Sequence, residues 1–148
     1  MQRRLRLFYL CPVDRQHGDG PKHEKVLSFG IAWPYVKPVY VLTSDPSTVA
    51  VPEVLLDKVQ KTDREPVALM QDLRQKGMKR VYIDGGATIR SFLNEDLISE
   101  MIITTIPILL GTGISLFGPM KGDKDLHFSA VRSRLYPHGL VQTTYHRS

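Results

Sequence analysis

Between Val81 and Thr88 the chain reads Val-Tyr-Ile-Asp-Gly-Gly-Ala-Thr, and these eight residues constrain the fold more than any other part of the sequence. A short β-branched and aromatic run ends at Asp84, two glycines follow, and a helical pattern carrying Ile89, Phe92 and Leu93 starts at once. Adjacent glycines allow a turn too tight for residues with a Cβ and let the backbone come close to a ligand. A helix that begins there points unpaired N–H groups and the positive end of its dipole outward, which suits a phosphate. A strand-to-helix turn with no ligand has the same local sequence. The string does not match G-x-G-x-x-G and has no P-loop lysine.

The flanking segments give the turn its setting. Val39 to Thr43 follows Pro38 and stops at Ser44-Asp45-Pro46, the pattern of a buried strand. Pro52 opens a short predicted helix with Val51, Leu55, Leu56 and Val59 on its apolar face. A clearer helix starts near Pro66, carries Leu69, Met70 and Leu73 as its stripe, and ends at Gly77. Lys79 to Asp84 is a second strand. Strand, helix, strand, tight turn and helix in this order imply a parallel α/β sheet with right-handed crossovers. The C-terminal third changes character. Glu100 to Pro107 reads as a strand, and Leu126 to Tyr136 and Leu140 to His146 as two more, joined by Pro137-His138-Gly139 into an antiparallel hairpin at the sheet edge. Leu5, Leu7 and Tyr9 alternate, so Met1 to Leu10 supplies a further short strand. The expected fold is α/β, with a mixed, mostly parallel sheet flanked by helices and closed by the hairpin.

Bulk properties narrow the function classes. A chain of 148 residues suits one domain, with 42% hydrophobic and 24% charged residues as in soluble globular proteins. The longest apolar run, Met101 to Leu110, is broken by Thr104, Thr105 and Pro107, so no membrane span is expected. No signal peptide is recognisable at the start. The single cysteine, Cys11, cannot form an internal disulfide, and a reducing, cytoplasmic location is the simpler expectation. His17, His23, His127, His138 and His146 show no metal-ligand spacing, so no metal is expected. The net charge is +5. Residues 1–25 hold +3 of it, through Arg3, Arg4, Arg6, Arg15, Lys22 and Lys25 against Asp14, Asp19 and Glu24. No basic stripe interleaved with aromatics accompanies that excess, so it points to a solvated surface or an anionic small ligand rather than nucleic acid.

Several strings in a fixed order carry a resemblance. Trp33-Pro34-Tyr35 and Lys37-Pro38-Val39-Tyr40-Val41-Leu42-Thr43-Ser44 are followed by Asp84-Gly85-Gly86-Ala87, Ser91-Phe92-Leu93 and Asp96-Leu97-Ile98-Ser99-Glu100. Ile106-Pro107-Ile108-Leu109-Leu110-Gly111-Thr112-Gly113 and Leu116-Phe117 complete the set. From about Glu24 to the C-terminus the sequence resembles the dihydrofolate reductase superfamily. Within it, the match is to the reductase domain of the riboflavin-pathway deaminase/reductases. The resemblance implies NADPH as cofactor and a pyrimidine or pterin-like substrate. It places Gly85 and Gly86 against the nicotinamide and pyrophosphate, often through a cis peptide. The amides of Ala87, Thr88 and Ile89 would meet phosphate. Thr43 and Ser44 are placed at the adenosine 2′-phosphate, with turn chemistry before Asp45-Pro46 as the alternative. Asp84 is the candidate catalytic residue, positioning a substrate amine or donating a proton; its alternative role is a helix cap. Relatives of this kind are often dimers, so a homodimer is expected.

Residues 1–23 depart from the family pattern, whereas 24–148 keep to it. Members begin with a long apolar strand, a loop and a helix, then G-R-x-T-Y-E. Here the chain reads Gly20-Pro21-Lys22-His23-Glu24 after only 19 residues. Pro21 lacks the amide that such a phosphate loop would use, and Lys22 is left as its candidate cation. A shifted reading frame or misplaced start would produce such a segment, and resequencing the locus checks it. Two hypotheses follow: an NADPH-dependent reductase, and a truncated, catalytically silent domain that binds nucleotide or pairs with a second copy. Folate reduction is a third and weaker match.

Overall fold

A computed structural model describes residues 9–12, 33, 35–113, 115–122 and 125–148, the first four by their backbone alone. By internal contacts the chain falls into two compact units, Met1–Ser91 and Phe92–Ser148.

The first unit is built on a four-stranded parallel sheet of order β3-β2-β1-β4. Its strands are β1 (Tyr9–Pro12), β2 (Val39–Leu42), β3 (Val59–Thr62) and β4 (Tyr82–Ile83). The described N-terminal strand therefore contains Tyr9 and Leu10, while Leu5 and Leu7 lie outside the described residues. Val39 and Val41 project from one face of β2 and are buried with Leu55 and Val59, with Trp33, Tyr35, Val49 and Val51 packed around them. The Trp33 and Tyr35 rings meet edge to face at 5.1 Å, a geometry favoured by their quadrupoles. Tyr40, between the two valines, turns to the other face and is also buried. Lys76 Nζ lies 5.6 Å from the centre of its ring.

The predicted helix after Pro52 does not form. Glu53–Leu55 makes a single 3-10 turn, and Val59 opens β3, paired with Val39. The spacing of Val51, Leu55 and Val59 imitates a helical stripe, but Leu56, which that stripe needs, is 62% exposed. Leu55 is instead buried by the turn and Val59 by the strand. The helix at Pro66 does form as α1 (Pro66–Gln75), with Pro66 in its first turn and Leu69 and Leu73 buried. Gly77 ends it at φ +76, donating to the Arg74 carbonyl while Met78 donates to that of Leu73. This pair of bonds satisfies two of the carbonyls that a helix end leaves free.

The second helix, α2 (Gly86–Asn94), places Phe92 and Leu93 in buried positions of the second unit. Three antiparallel strands follow in the order β5-β7-β6: β5 (Glu100–Thr105), β6 (Phe128–Leu135) and β7 (Val141–Arg147). Among the described residues, hydrogen bonding places the parallel and the antiparallel strands in two sheets. β5 stops two residues short of Pro107, and Ile108 N–H turns back onto the Ile106 carbonyl. The hairpin turn has Tyr136 donating to the Leu140 carbonyl, with His138 and Gly139 at positive φ. A β-bulge lies between Ala130 and Arg132. The extra residue re-aims the strand, so Arg132 and Arg134 pair with Thr144 and Gln142 while Phe128 and Ala130 pair with Arg147 and Tyr145.

The C-terminus of α2 has the same bond pattern as that of α1, with Asp96 in glycine's place. Asp96 sits at φ +53 and donates to Leu93, and Leu97 donates to Phe92. Its carboxylate is gripped by Arg147, with Nε to Oδ1 at 2.8 Å and Nη2 to Oδ2 at 3.3 Å, while Arg147 Nη1 donates to the His127 carbonyl. The hydrogen bond to Asp96 holds the guanidinium above its ordinary pKa, so it stays charged at any working pH. One side chain thereby ties the end of β7 to the helix end and to the entry of β6. Replacing Asp96 by Gly and by Ala removes the same ion pair, but only alanine bears the left-handed backbone cost. Denaturant unfolding is expected to find Asp96→Ala less stable than Asp96→Gly by about 1 kcal/mol.

Candidate functional site

Strands β1 to β4 run parallel, so their carboxyl ends share one edge. Ser44 follows β2, Asp63 follows β3 and Asp84 follows β4 at that edge. Open α/β sheets bind ligands beyond this kind of edge, because helix N-termini and connecting loops collect there.

Asp84 and Gly85 alone separate β4 from α2. Gly85 has φ +86, a conformation that side chains rarely adopt, and its carbonyl accepts from Ile89 N–H at 2.9 Å as the first bond of the helix. No cis peptide occurs among the described residues, and Gly85–Gly86 is trans. The sequence leaves the state of this peptide bond open; it is trans, and a left-handed Gly85 makes the turn. Gly86 differs from Gly85: it is the first helical residue and has no positive φ. Its backbone angle therefore does not by itself demand glycine. The N–H groups of Gly86, Ala87 and Thr88 belong to the first helical turn, which has no intrahelical acceptors for them.

Two side chains finish this corner. Asp84 is exposed, and its Oδ1 accepts from the adjoining Gly85 N–H at 2.7 Å. It therefore braces the turn and does not cap an amide inside the helix. Thr88 is 3% exposed, and its Oγ1 has no hydrogen-bond partner among the described residues. A buried hydroxyl in that state costs roughly 1–3 kcal/mol. Ile89 is half-buried one residue further on.

At the end of β2, Thr43 is buried and its hydroxyl is engaged with the backbone of Asp45, accepting from N–H at 3.2 Å and donating to the carbonyl at 3.3 Å. Asp45 in turn caps a 3-10 turn at Pro46–Thr48 by accepting from Ser47 N–H. Thr43 thus performs the turn chemistry, while Ser44 is exposed at the edge. Lys22 lies outside the described residues. The sequence reading missed a third edge segment. Thr62 Oγ1 accepts from Arg64 N–H at 3.2 Å, and the Arg64 guanidinium lies 2.9 Å from Asp72. Recognising Val59–Thr62 as a strand would have exposed this loop, but the helical spacing at Leu55 and Val59 hid it.

Comparison with known proteins agrees with this architecture. The sequence model of the RibD C-terminal domain matches residues 24–142. The chain belongs to the RibD C-terminal domain family. A protein of Shewanella sp. PV-4 assigned to riboflavin biosynthesis has a crystal structure that superposes with a TM-score of 0.80 at 41% identity, over 98% of this chain and 75% of that one. The deaminase/reductase of Thermotoga maritima shares the fold at a TM-score of 0.62 and 15% identity, over 95% of this chain and 38% of that one. YwjB of Bacillus subtilis (strain 168) is 33% identical over 113 residues, or 75% of this chain. The chain spans 61% of YwjB's length.

The family's mixed α/β fold accounts for the parallel strands, the hairpin and the Gly-Gly corner together. Among the described residues no helix is long and apolar enough to cross a membrane.

The two glycines and Thr88 should respond differently to substitution in the unliganded chain. Gly85→Ala is expected to cost about 1–2 kcal/mol because its φ is positive, whereas Gly86→Ala carries no such backbone cost. Thr88→Val removes an unpaired buried hydroxyl without changing shape and should stabilise by about 1 kcal/mol. Thermal or urea unfolding of the three variants checks the order.

Proposed function

We propose that this chain binds NADPH at the carboxyl edge of its parallel sheet and reduces a pyrimidine or pterin-like substrate, as a riboflavin-pathway reductase does. The observation that carries this reading is the corner at α2. Gly86 opens the helix without a positive φ, beside first-turn amides that have no intrahelical acceptor and the Thr88 hydroxyl, which has no partner among the described residues. These residues fit a phosphate-bearing nucleotide. Absence of a Cβ at Gly86 admits close approach, the amides of Gly86, Ala87 and Thr88 offer donors, and the helix dipole favours negative charge. The likeness to the Shewanella protein at 41% identity supports the riboflavin-pathway substrate class.

Each residue then has a defined task. Gly85 turns the chain so that α2 starts at the edge. Gly86, Ala87 and Thr88 bind and orient the pyrophosphate. Ser44, exposed after β2, is available to the 2′-phosphate, while Thr43 shapes the turn that presents it. Asp84 spends Oδ1 on Gly85 N–H and keeps Oδ2 for a substrate amine. Bound NADPH would supply the hydride, so the protein contributes chiefly alignment.

Titration of the purified chain with NADPH, followed by nicotinamide fluorescence, is expected to show saturable micromolar binding. Gly86→Ala and Thr88→Val should each weaken it by roughly tenfold, about 1.4 kcal/mol, while both variants stay folded. A folded chain that shows no saturation overturns the reading. Saturation without NADPH oxidation by any pyrimidine or pterin substrate would leave a nucleotide-binding domain without turnover.

A further inference from the structure

Asp84 and Gly85 form a chemically reactive pair as well as a structural corner. Among the described residues, Asp84 is the one aspartate followed by glycine. Asp45 precedes Pro46, which has no N–H. The other described aspartates precede residues whose Cβ crowds the amide. Two of them are also restrained by their partners. Asp72 lies inside α1 and pairs with Arg64. Asp96 is gripped by Arg147, and the N–H of the following Leu97 is committed to the Phe92 carbonyl.

Asp84 is arranged differently. Its carboxylate is folded back so that Oδ1 accepts from Gly85 N–H at 2.7 Å. This hydrogen bond brings together the nitrogen and the carboxyl group that a ring closure would join. Gly85 has no Cβ to hinder the closure. It also lies between β4 and α2, so its amide belongs to neither a strand ladder nor the helix.

We propose that Asp84-Gly85 is a site of spontaneous backbone modification, at which aspartate isomerises to isoaspartate through a succinimide. The Gly85 nitrogen gives up its proton and bonds to Asp84 Cγ, and the carboxyl hydroxyl leaves with that proton as water. Water then reopens the ring. Cleavage of the new N–Cγ bond restores aspartate. Cleavage between the nitrogen and the Asp84 main-chain carbonyl carbon leaves the chain running through Cγ, with the former main-chain carbonyl now a free carboxylate. One water is lost and one regained, so mass is unchanged and no oxidant or other reactant is needed.

Both reacting groups belong to neighbouring residues, so the step depends on no surface beyond the corner itself. The isomer adds Asp84 Cβ to the main chain and removes the carboxylate brace from the Gly85 amide. A single left-handed residue then no longer spans the gap from β4 to α2, and the first-turn amides of residues 86–88 lose their fixed direction. One consequence rests on the nucleotide reading above: the isomerised chain no longer binds NADPH.

Arg80 and Arg90 are trypsin sites, so digestion isolates residues 81–90 as one peptide. The full chain is aged in neutral buffer at body temperature beside a synthetic peptide of the same ten residues. The 81–90 peptide from the aged chain is expected to split into two species of equal mass, one of them a substrate for an isoaspartyl carboxyl methyltransferase. The rate should be within roughly tenfold of the free peptide's. Asp84→Glu, which needs a larger ring, should give a single species. Circular dichroism checks that the aged chain is folded, and its NADPH-binding fraction should fall in step with the fraction isomerised. A folded chain whose 81–90 peptide stays a single species while the free peptide is half converted overturns the proposal, as does a methylatable species that persists in Asp84→Glu. Fresh chain that binds no NADPH counts against the nucleotide reading alone, because the peptide still decides the isomerisation.

Discussion

One backbone angle sets the first unit's chemistry. Gly85 at φ +86 turns β4 into α2 with no loop between them. A longer connection would let the helix start away from the sheet, and its first-turn amides would then face solvent without a fixed direction. Because the turn is a single left-handed residue braced by its neighbour Asp84, the amides of residues 86–88 are fixed at the edge where β2 and β3 also end. The far end of α2 is decided the same way. Asp96 adopts φ +53, and Arg147 holds its carboxylate. Each end of this helix thus depends on one residue in the left-handed region, glycine where backbone freedom suffices and aspartate where a side chain must also make a tie.

Much of this was legible in the sequence. Leu69, Met70 and Leu73 announce α1 because a 3.6-residue stripe is a strong signal and Pro66 and Gly77 mark its ends. Phe128 and the alternation of Val141, Thr143 and Tyr145 announce the hairpin because Pro137-His138-Gly139 interrupts two strand-like runs. The failures have local causes. Val51, Leu55 and Val59 keep helical spacing although the chain there is a 3-10 turn followed by a strand, since spacing alone does not tell which element buries a residue. At Asp96, nothing in the sequence reveals a left-handed aspartate, because its partner Arg147 lies 51 residues away. The unpaired Thr88 hydroxyl was equally hidden, since burial and the lack of a partner are properties of packing. The Gly-Gly string marked the corner's position but left its peptide bond open; the bond is trans and Gly85 is left-handed.

The charge distribution follows the division into units. With residues 92–148 neutral, the whole +5 excess lies in residues 1–91, the unit whose sheet edge carries the phosphate-suited corner. Net positive charge on a chain favours the approach of an anionic ligand at long range, whereas amides and glycines would supply specificity at close range.

Within that second sheet the polar and apolar constraints are divided between its ends. At one end Arg147 reaches Asp96 and the His127 carbonyl, Ser129 and Ser148 share a hydrogen bond, and Ser148 N–H meets the His127 carbonyl. At the other end, Leu135, Val141 and Ile106 are exposed around the Pro137–Gly139 turn. Gly139 is confined there twice, by φ +80 and by Pro107 Cγ, which a Cβ would meet at 3.2 Å. The polar end fixes the register of all three strands, so the apolar end is held in place without having to bury its own side chains. A sheet anchored in this way keeps one register although the segment Met101 to Thr105 of β5 has no charged side chain to hold it.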